Sequence, residues 1–340
     1  MRLFILQKVS IMALSSSYLI YLAFAAVAAG IAGLVWSADR FVAGSAAIAR
    51  SFGIAPMIIG LTIVSFGTSA PEVMVSISSA LKDAGDLAVG NAIGSNIANM
   101  ALVLGVTALL ISIPVQHHLL RTELPVLFII TATAGLFLAD NVLQLWEGLI
   151  LFGTLLPAMV FLIKRKPAEM TADEIQEEQN VVPELSRSAG LMWFVIGLLA
   201  LIVSSEVLVW GAKSAALHFG VSPLLIGLTV VALGTSLPEL AASVTSALKG
   251  HHDIALGNVI GSNMFNLQVV MALPVIISPP LAAEGVFYRD YMTMLVLTIL
   301  LTLAVVISLA RKGATAGLGK PIGVILLAIY LAYYVVIFLS

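Results

Sequence analysis

Two carboxylates stand inside apolar sequence: Glu72 and Glu239 each close a Gly-Thr-Ser-x-Pro-Glu segment, at Gly67–Glu72 and Gly234–Glu239. A carboxylate at the centre of a membrane helix costs about 2.5–3.5 kcal/mol even on insertion-based scales, so such groups mark binding sites, relays or gates. The neighbours indicate which chemistry. Pro71 and Pro238 lack an N–H and clash with the preceding turn, so carbonyls near Thr68 and Thr235 lose helical partners, and Gly67 and Gly234 ease the break. Ser69 and Ser236 add hydroxyl oxygens. Oxygen is what hard cations such as Ca²⁺ and Na⁺ take, Ca²⁺ usually with about 6–8 ligands.

A second pair of segments, Gly90-Asn-Ala-Ile-Gly-Ser-Asn-Ile-Ala-Asn99 and Gly257-Asn-Val-Ile-Gly-Ser-Asn-Met-Phe-Asn266, offers a further ring of oxygens from Ser95, Ser262, Asn99 and Asn266. Ser95 and Asn99 are four apart and share a helix face. Taken singly, Ser, Thr and Gly in membrane helices read as close-packing devices. Two matched glutamates with matched oxygen neighbours read as a cation site. Asn91 and Asn258 read as helix caps after the loops at Asp86 and Asp253 rather than ligands, and Asp39 and Glu206 as interfacial anchors rather than gates. His117, His118, His251 and His252 lie near span edges and read as solvated loop residues rather than metal ligands.

The elements that carry these residues follow from composition. The 340 residues are 60% hydrophobic and 10% charged, with a mean hydropathy of +1.10, against about 25% charged in soluble domains. That is a polytopic, all-α membrane protein. The formal charge of −2 provides no basic surface for nucleic acid, and the absence of cysteine removes disulfides, thiol nucleophiles and Cys-ligated metals. Stretches near the length of about 20 residues that crosses a bilayer recur at Tyr18–Ala49, Ile54–Leu81, Leu87–Ile113, Leu124–Leu138, Leu145–Ile163, Leu191–Leu217, Val221–Leu248, Ile254–Ile277, Tyr291–Leu309 and Ile322–Leu339. The one sizeable hydrophilic interruption, residues 164–188, reads as a solvated linker between five spans and five. Basic residues favour the loops on the linker's side by ten to five, which places the linker in the cytoplasm and both termini outside.

The two halves repeat. An offset of 167 residues superimposes Ser37–Asn99 on Ser204–Asn266 without a gap, with about half of the positions identical. It pairs Asp39 with Glu206 and Lys82 with Lys249, and sets Ser65 against Ala232, so the site is not strictly two-fold. Because each copy holds five spans, an odd number, the second enters the membrane from the opposite side. The expected organisation is therefore ten transmembrane helices in two inverted five-helix repeats, residues 1–163 and 189–340, joined by 164–188. Inverted repeats are a mark of secondary transporters, with the substrate near the midplane. The match also argues that the first span is retained rather than cleaved as a signal sequence, since its counterpart lies in mid-chain.

The paired Gly-Thr-Ser-x-Pro-Glu and Gly-Asn-x-Ile-Gly-Ser-Asn-x-x-Asn segments, with the five-plus-five plan, resemble the cation/calcium exchanger superfamily, and within it the prokaryotic sodium/calcium exchanger type. The resemblance implies a core of the second, third, seventh and eighth spans, with the first and sixth as long sloping helices that slide across it. It implies Glu72 and Glu239 as shared Ca²⁺/Na⁺ carboxylates, with the carbonyls of Thr68 and Thr235 completing the Ca²⁺ site. Ser69, Ser236, Ser95, Ser262 and the Ala232 carbonyl line the flanking Na⁺ sites, and Asn99 and Asn266 close the set. Asn266 stands where potassium-dependent members have Asp, which argues against K⁺ as a co-substrate. The Thr-Ser hydroxyls argue against H⁺ as the counter-ion.

The expected activity is antiport of Na⁺ and Ca²⁺ across the cytoplasmic membrane by alternating access, with an H⁺- or K⁺-linked antiporter as the alternative. No cofactor and no obligatory protein partner are expected beyond the two ions and the lipid bilayer. A cation channel would use the same oxygens without a counter-ion gradient. An intramembrane enzyme is opposed by the missing His-Glu-x-x-His motif and by the duplication of every candidate residue.

Overall fold

In the computed structural model, which describes residues 2–52, 55–82, 84–169, 185–220, 232–279, 285–310 and 317–339, nearly all of the described residues are helical. The apolar runs become α1 (Arg2–Phe52), α2 (Pro56–Thr68), α3 (Ala70–Ala80), α4 (Gly85–Leu110), α5 (Leu119–Leu138) and α6 (Leu145–Arg165). They are followed by α7 (Arg187–His218), α8 (Ala232–Thr235), α9 (Leu237–Leu248), α10 (His252–Ile277), α11 (Val286–Ala310) and α12 (Lys320–Leu339). Among the described residues, eight helices are long and apolar enough to cross a membrane, and α2 with α3 make a ninth span bent by 46°. Of the expected span Val221–Leu248, residues 221–231 lie outside the described residues, as do 170–184 of the linker; α8 and α9 are the described part of that span.

The membrane part of α1, Tyr18–Phe52, has 35 residues and α7 has 32. At about 1.5 Å per residue each is roughly 50 Å long, well beyond a hydrocarbon core of about 30 Å, so both must slope. They run antiparallel against each other: Gly30 packs on Leu208, Gly33 on Ser204, Gly197 on Phe41, Gly44 on Gly190 and Phe194, and Gly211 on Ala23 and Val27. These contacts exchange into one another when the halves are swapped by the 167-residue offset, Gly44 with Gly211 and Gly30 with Gly197. Small residues let two membrane helices approach this closely. A Cβ at Gly197 would lie 2.5 Å from the Phe41 backbone nitrogen. Gly197→Leu is therefore expected to lower the melting temperature of the detergent-purified protein by several degrees, an overpacking cost of about 1–3 kcal/mol.

Helices α4 and α10 form the buried centre, whereas α1, α7 and α12 turn broad apolar faces outward, as lipid-facing helices do. Both central helices widen at matched positions into i→i+5 turns, Ala98–Val103 and Asn266–Val270, the latter closed by the Met271 N–H on the Asn266 carbonyl at 2.8 Å. Such wide turns are rare and concentrate at functional sites. Here they carry Asn99 and Asn266.

At the span edges the structure corrects the reading of two histidines. His118 is buried, its Nδ1 at 3.0 and 3.2 Å from the Glu123 carboxylate oxygens and its Nε2 at 2.6 Å from Gln116 Oε1. His251 is buried as well, in the turn between α9 and α10, because the chain folds back there: its N–H bonds the Ser246 carbonyl at 2.8 Å past Gly250 in the left-handed region. Burial first, then Lys249 and His252, hold the His251 imidazole down to about 4. The folded state thus binds fewer protons than the unfolded chain below a pH of about 6.5, so stability falls as the pH drops from about 6.5 towards 4. A pH series of melting curves should show this decline, shallower in His251→Asn. No group of three or more His, Cys, Asp or Glu able to hold a metal occurs among the described residues.

Candidate cation site

The helix breaks fall on Ser69 and Ser236, whose backbones adopt φ −82°, ψ 7° and φ −87°, ψ 2°. Each serine leaves the helix for one residue, and Pro71 and Pro238 then sit in the first turn of α3 and α9, where a missing N–H is no loss. Glu72 and Glu239 occupy those same first turns, the end of a helix that favours negative charge. Gly67 and Gly234 do not form the breaks; they lie before them, where the absent Cβ lets Leu198 and Val209 of α7 come close. The carbonyl four residues before Pro238, that of Gly234, accepts a hydrogen bond from the Ser205 hydroxyl at 2.8 Å. Ser205 thus takes one of the carbonyls that the proline was expected to free.

The two halves exchange contacts at the breaks. Ser69 Oγ, from the first half, donates to Glu239 Oε1 at 2.9 Å. Thr68 Oγ1 donates to Asn258 Oδ1 at 3.1 Å. In the other direction the half-buried Thr235 side chain reaches the Glu72 carboxylate. Glu72 and Glu239 are both 1% exposed. Glycines make the approach possible: a Cβ at Gly257 would lie 2.6 Å from the Met57 carbonyl oxygen, and one at Gly261 would run into the Leu61 carbonyl and, at 2.7 Å, the Ser65 hydroxyl.

Asn91 and Asn258 are not caps. Helices α4 and α10 begin several residues earlier, at Gly85 and His252, so both asparagines lie inside helices. Asn258 Nδ2 donates to Ser243 Oγ at 2.9 Å and to the Glu239 carbonyl at 3.3 Å; Asn91 Nδ2 does the same at Ser76 and Glu72, each at 3.4 Å.

The remaining residues singled out in the sequence are placed as follows. Asn99 lies in the wide turn of α4, which packs against α9, and Asn266 in that of α10, which packs against α3. Ser95 and Ser262 are buried on α4 and α10, and Ala232 and Thr235 open and close the short α8. Six of the oxygens in this set are buried with no hydrogen-bond partner: Glu72 Oε2, Glu239 Oε2, Ser236 Oγ, Ser262 Oγ, Asn99 Oδ1 and Asn266 Oδ1. Native interiors rarely leave such oxygens unmatched, because each carries the full cost of desolvation. A bare cation is a partner that carboxylate, amide and hydroxyl oxygens can take together, each through a lone pair.

Gln268 escaped the sequence reading. It is buried on α10, its Nε2 at 3.0 Å from Thr154 Oγ1 and its Oε1 unpartnered. Its counterpart in the first half is Ala101, so a search for matched polar residues passes over it; a lone amide inside an apolar span was the available signal.

A family model described as sodium/calcium exchanger protein matches residues 22–164 and 189–339, both halves and almost the whole chain. The chain belongs to the sodium/calcium exchanger family. The putative antiporter CaxA of Alkalimonas amylolytica is 43% identical over 318 residues, 92% of this chain and 98% of that protein. The sodium/calcium exchanger MaX1 of Methanosarcina acetivorans is 30% identical over 347 residues, 91% of this chain and 96% of its own. Among solved structures, the sodium-calcium exchanger NCX_Mj superimposes with a TM-score of 0.78 at 31% identity, over 93% of this chain and 99% of that one. This family member is accordingly a multi-pass membrane protein and a cation/Ca²⁺ antiporter of the prokaryotic exchanger type.

Proposed function

We propose that this exchanger couples Na⁺ entry to Ca²⁺ extrusion at one site built around Glu72 and Glu239. The observation that carries the reading is the set of six unpartnered, buried oxygens drawn from both halves, two from the first and four from the second. Two carboxylates neutralise one Ca²⁺ or share several Na⁺, with the Thr68 and Thr235 carbonyls on the Ca²⁺. Ser69, Ser236, Ser95, Ser262 and the Ala232 carbonyl serve the Na⁺ positions, and Asn99 and Asn266 close the ring. Exchange follows because the same oxygens cannot serve both ions at once.

The site is reached from one side at a time. Ten spans in two inverted repeats, residues 1–163 and 189–340 around the linker 164–188, give the halves opposite orientations, so that exchanging their conformations moves the opening from one face to the other. The sloping pair α1 and α7 supplies the moving part. The linker faces the cytoplasm and both termini face outward, in the cytoplasmic membrane. If the ions exchanged differ in total charge, each net charge crossing 100 mV contributes about 2.3 kcal/mol, which helps to drive Ca²⁺ out.

Equilibrium binding of ⁴⁵Ca²⁺ to the purified protein tests the shared site. Na⁺ should displace Ca²⁺ completely and competitively, whereas K⁺ at the same ionic strength should not. Simultaneous saturation with both ions would sink the proposal.

A further inference from the structure

We infer that Asn258 is a positioning residue for the cation site, one that holds the break of one half against the break of the other. Its buried amide uses both ends: Oδ1 accepts from Thr68 Oγ1 at 3.1 Å, while Nδ2 donates to the Glu239 carbonyl at 3.3 Å and Ser243 Oγ at 2.9 Å. Thr68 precedes the break in α2 and Glu239 follows the break in α9, so a side chain on α10 ties the two together. The Thr68 hydroxyl makes its shorter bond to Asn258, with the Ser65 carbonyl at 3.4 Å as its other acceptor, so the residue's carbonyl is what it can offer an ion. Neither Leu nor Asp replaces this: Leu has no polar end, and the Asp carboxylate lacks the N–H groups that reach the Glu239 carbonyl. Asn91, matched to Asn258, makes the corresponding bonds to Glu72 and Ser76 at longer range.

This inference rests on the proposed site, and its test separates the two. In proteoliposomes Asn258→Leu should raise the KM for Ca²⁺ about ten-fold with a smaller change in kcat, as expected when binding geometry is lost. Thr68→Val, which keeps shape and carbonyl, should raise KM several-fold, and the double variant should be no worse than Asn258→Leu, because Asn258→Leu has already removed the Thr68–Asn258 bond. Unchanged KM in a folded Asn258→Leu, or additive effects, would overturn the positioning role. If Asn258→Leu does not fold, Thr68→Val decides alone by the same rise or its absence. Glu239→Gln distinguishes the site from its support: loss of binding there with unchanged KM here removes only the inference.

A second contact ties the turn after α9 to the interior of the sloping helix α1. Lys249, just after α9, lies 2.6 Å from Asp39 Oδ1 and 3.1 Å from the Asp39 carbonyl of α1. Exchange of the halves turns this pair into Lys82 and Glu206. The two lysines sit in matched turns, closed by Ala84 N–H on Ser79 at 2.9 Å and His251 N–H on Ser246 at 2.8 Å. Yet among the described residues Lys82 and Glu206 make no ion pair, and both are exposed. With Gly33 on Ser204 and Phe41 on Gly197, Asp39 and Glu206 stand about eight residues apart along the α1–α7 pair, roughly 12 Å. The geometry points to alternative latches: Lys249–Asp39 closes in one access state and Lys82–Glu206 in the other, as α1 and α7 slide together. A partly exposed pair biases such an equilibrium only slightly, which suits a contact that must open in every cycle.

The chain has no cysteine, so two double variants, Asp39→Cys with Lys249→Cys and Glu206→Cys with Lys82→Cys, can be cross-linked in proteoliposomes with a short bismaleimide and scored by mass spectrometry. An ion condition that speeds one cross-link should slow the other at least two-fold, and either cross-link should stop exchange. Rates that rise and fall together, or a Lys82–Glu206 pair that never forms while the variant still transports, would overturn the latches. Cross-links that leave exchange running would instead count against movement of α1 and α7.

Discussion

Glu239→Gln lowers Na⁺-driven ⁴⁵Ca²⁺ uptake by at least about 100-fold while leaving the protein folded. The amide oxygen still accepts the Ser69 hydroxyl that now lies 2.9 Å from Glu239 Oε1, and the change deletes a charge from a site that is 1% exposed, so the fold gives up little. The ion gives up much. Removing one member of a buried set of opposite charges costs about 3–5 kcal/mol, and about 1.4 kcal/mol is a factor of ten in affinity. Glu72→Gln should behave alike, because Thr235 holds Glu72 as Ser69 holds Glu239. Uptake within two-fold of the parent protein, in a variant whose melting temperature is unchanged, would refute the site assignment.

Gly261→Val is the second large effect, and it acts through packing. The Cβ of residue 261 would meet the Leu61 carbonyl and the Ser65 hydroxyl of α2, and Ser65 already spends its hydroxyl on Leu61 at 2.8 Å. Nothing at that contact is the far end of a flexible chain. The end of α2 must move, and with it Ser69, whose bond to Glu239 joins the halves. Overpacking of this kind costs about 1–3 kcal/mol, enough to lower the melting temperature by several degrees, and uptake should fall at least ten-fold. Gly153→Ala on α6, where a Cβ meets nothing within 4 Å, should change neither. Equal behaviour of the two variants would mean that the α2–α10 contact does not set the site.

Much of this was legible because a duplicated sequence carries its own control. The offset of 167 residues separates matched polar residues from the apolar background, and it found Glu72 with Glu239, Ser95 with Ser262 and Asn99 with Asn266. The pattern Gly-Thr-Ser-x-Pro-Glu also located the helix breaks to within two residues, since proline is comfortable only at a helix start. Other features depend on tertiary packing. Asn91 and Asn258 look like caps because they follow loops by a few residues; only the observed starts of α4 and α10 show them inside helices, reaching across to Glu72 and Glu239. His118 and His251 read as solvated until the turns around them fold inward onto Glu123 and Ser246. Gln268 breaks the repeat, so the repeat could not find it. The pairing of Lys249 with Asp39 spans 210 residues, and periodicity within a helix says nothing about it.

The measurement that tests the central claim most directly is Ca²⁺ flux into proteoliposomes under Na⁺, K⁺ and H⁺ gradients applied one at a time, with the membrane potential clamped. Competition of Na⁺ and Ca²⁺ for Glu72 and Glu239 predicts uptake driven by an outward Na⁺ gradient, none driven by K⁺ or H⁺, and none in Glu239→Gln. Ca²⁺ uptake that proceeds with no counter-ion gradient, or only with a proton gradient, would contradict it.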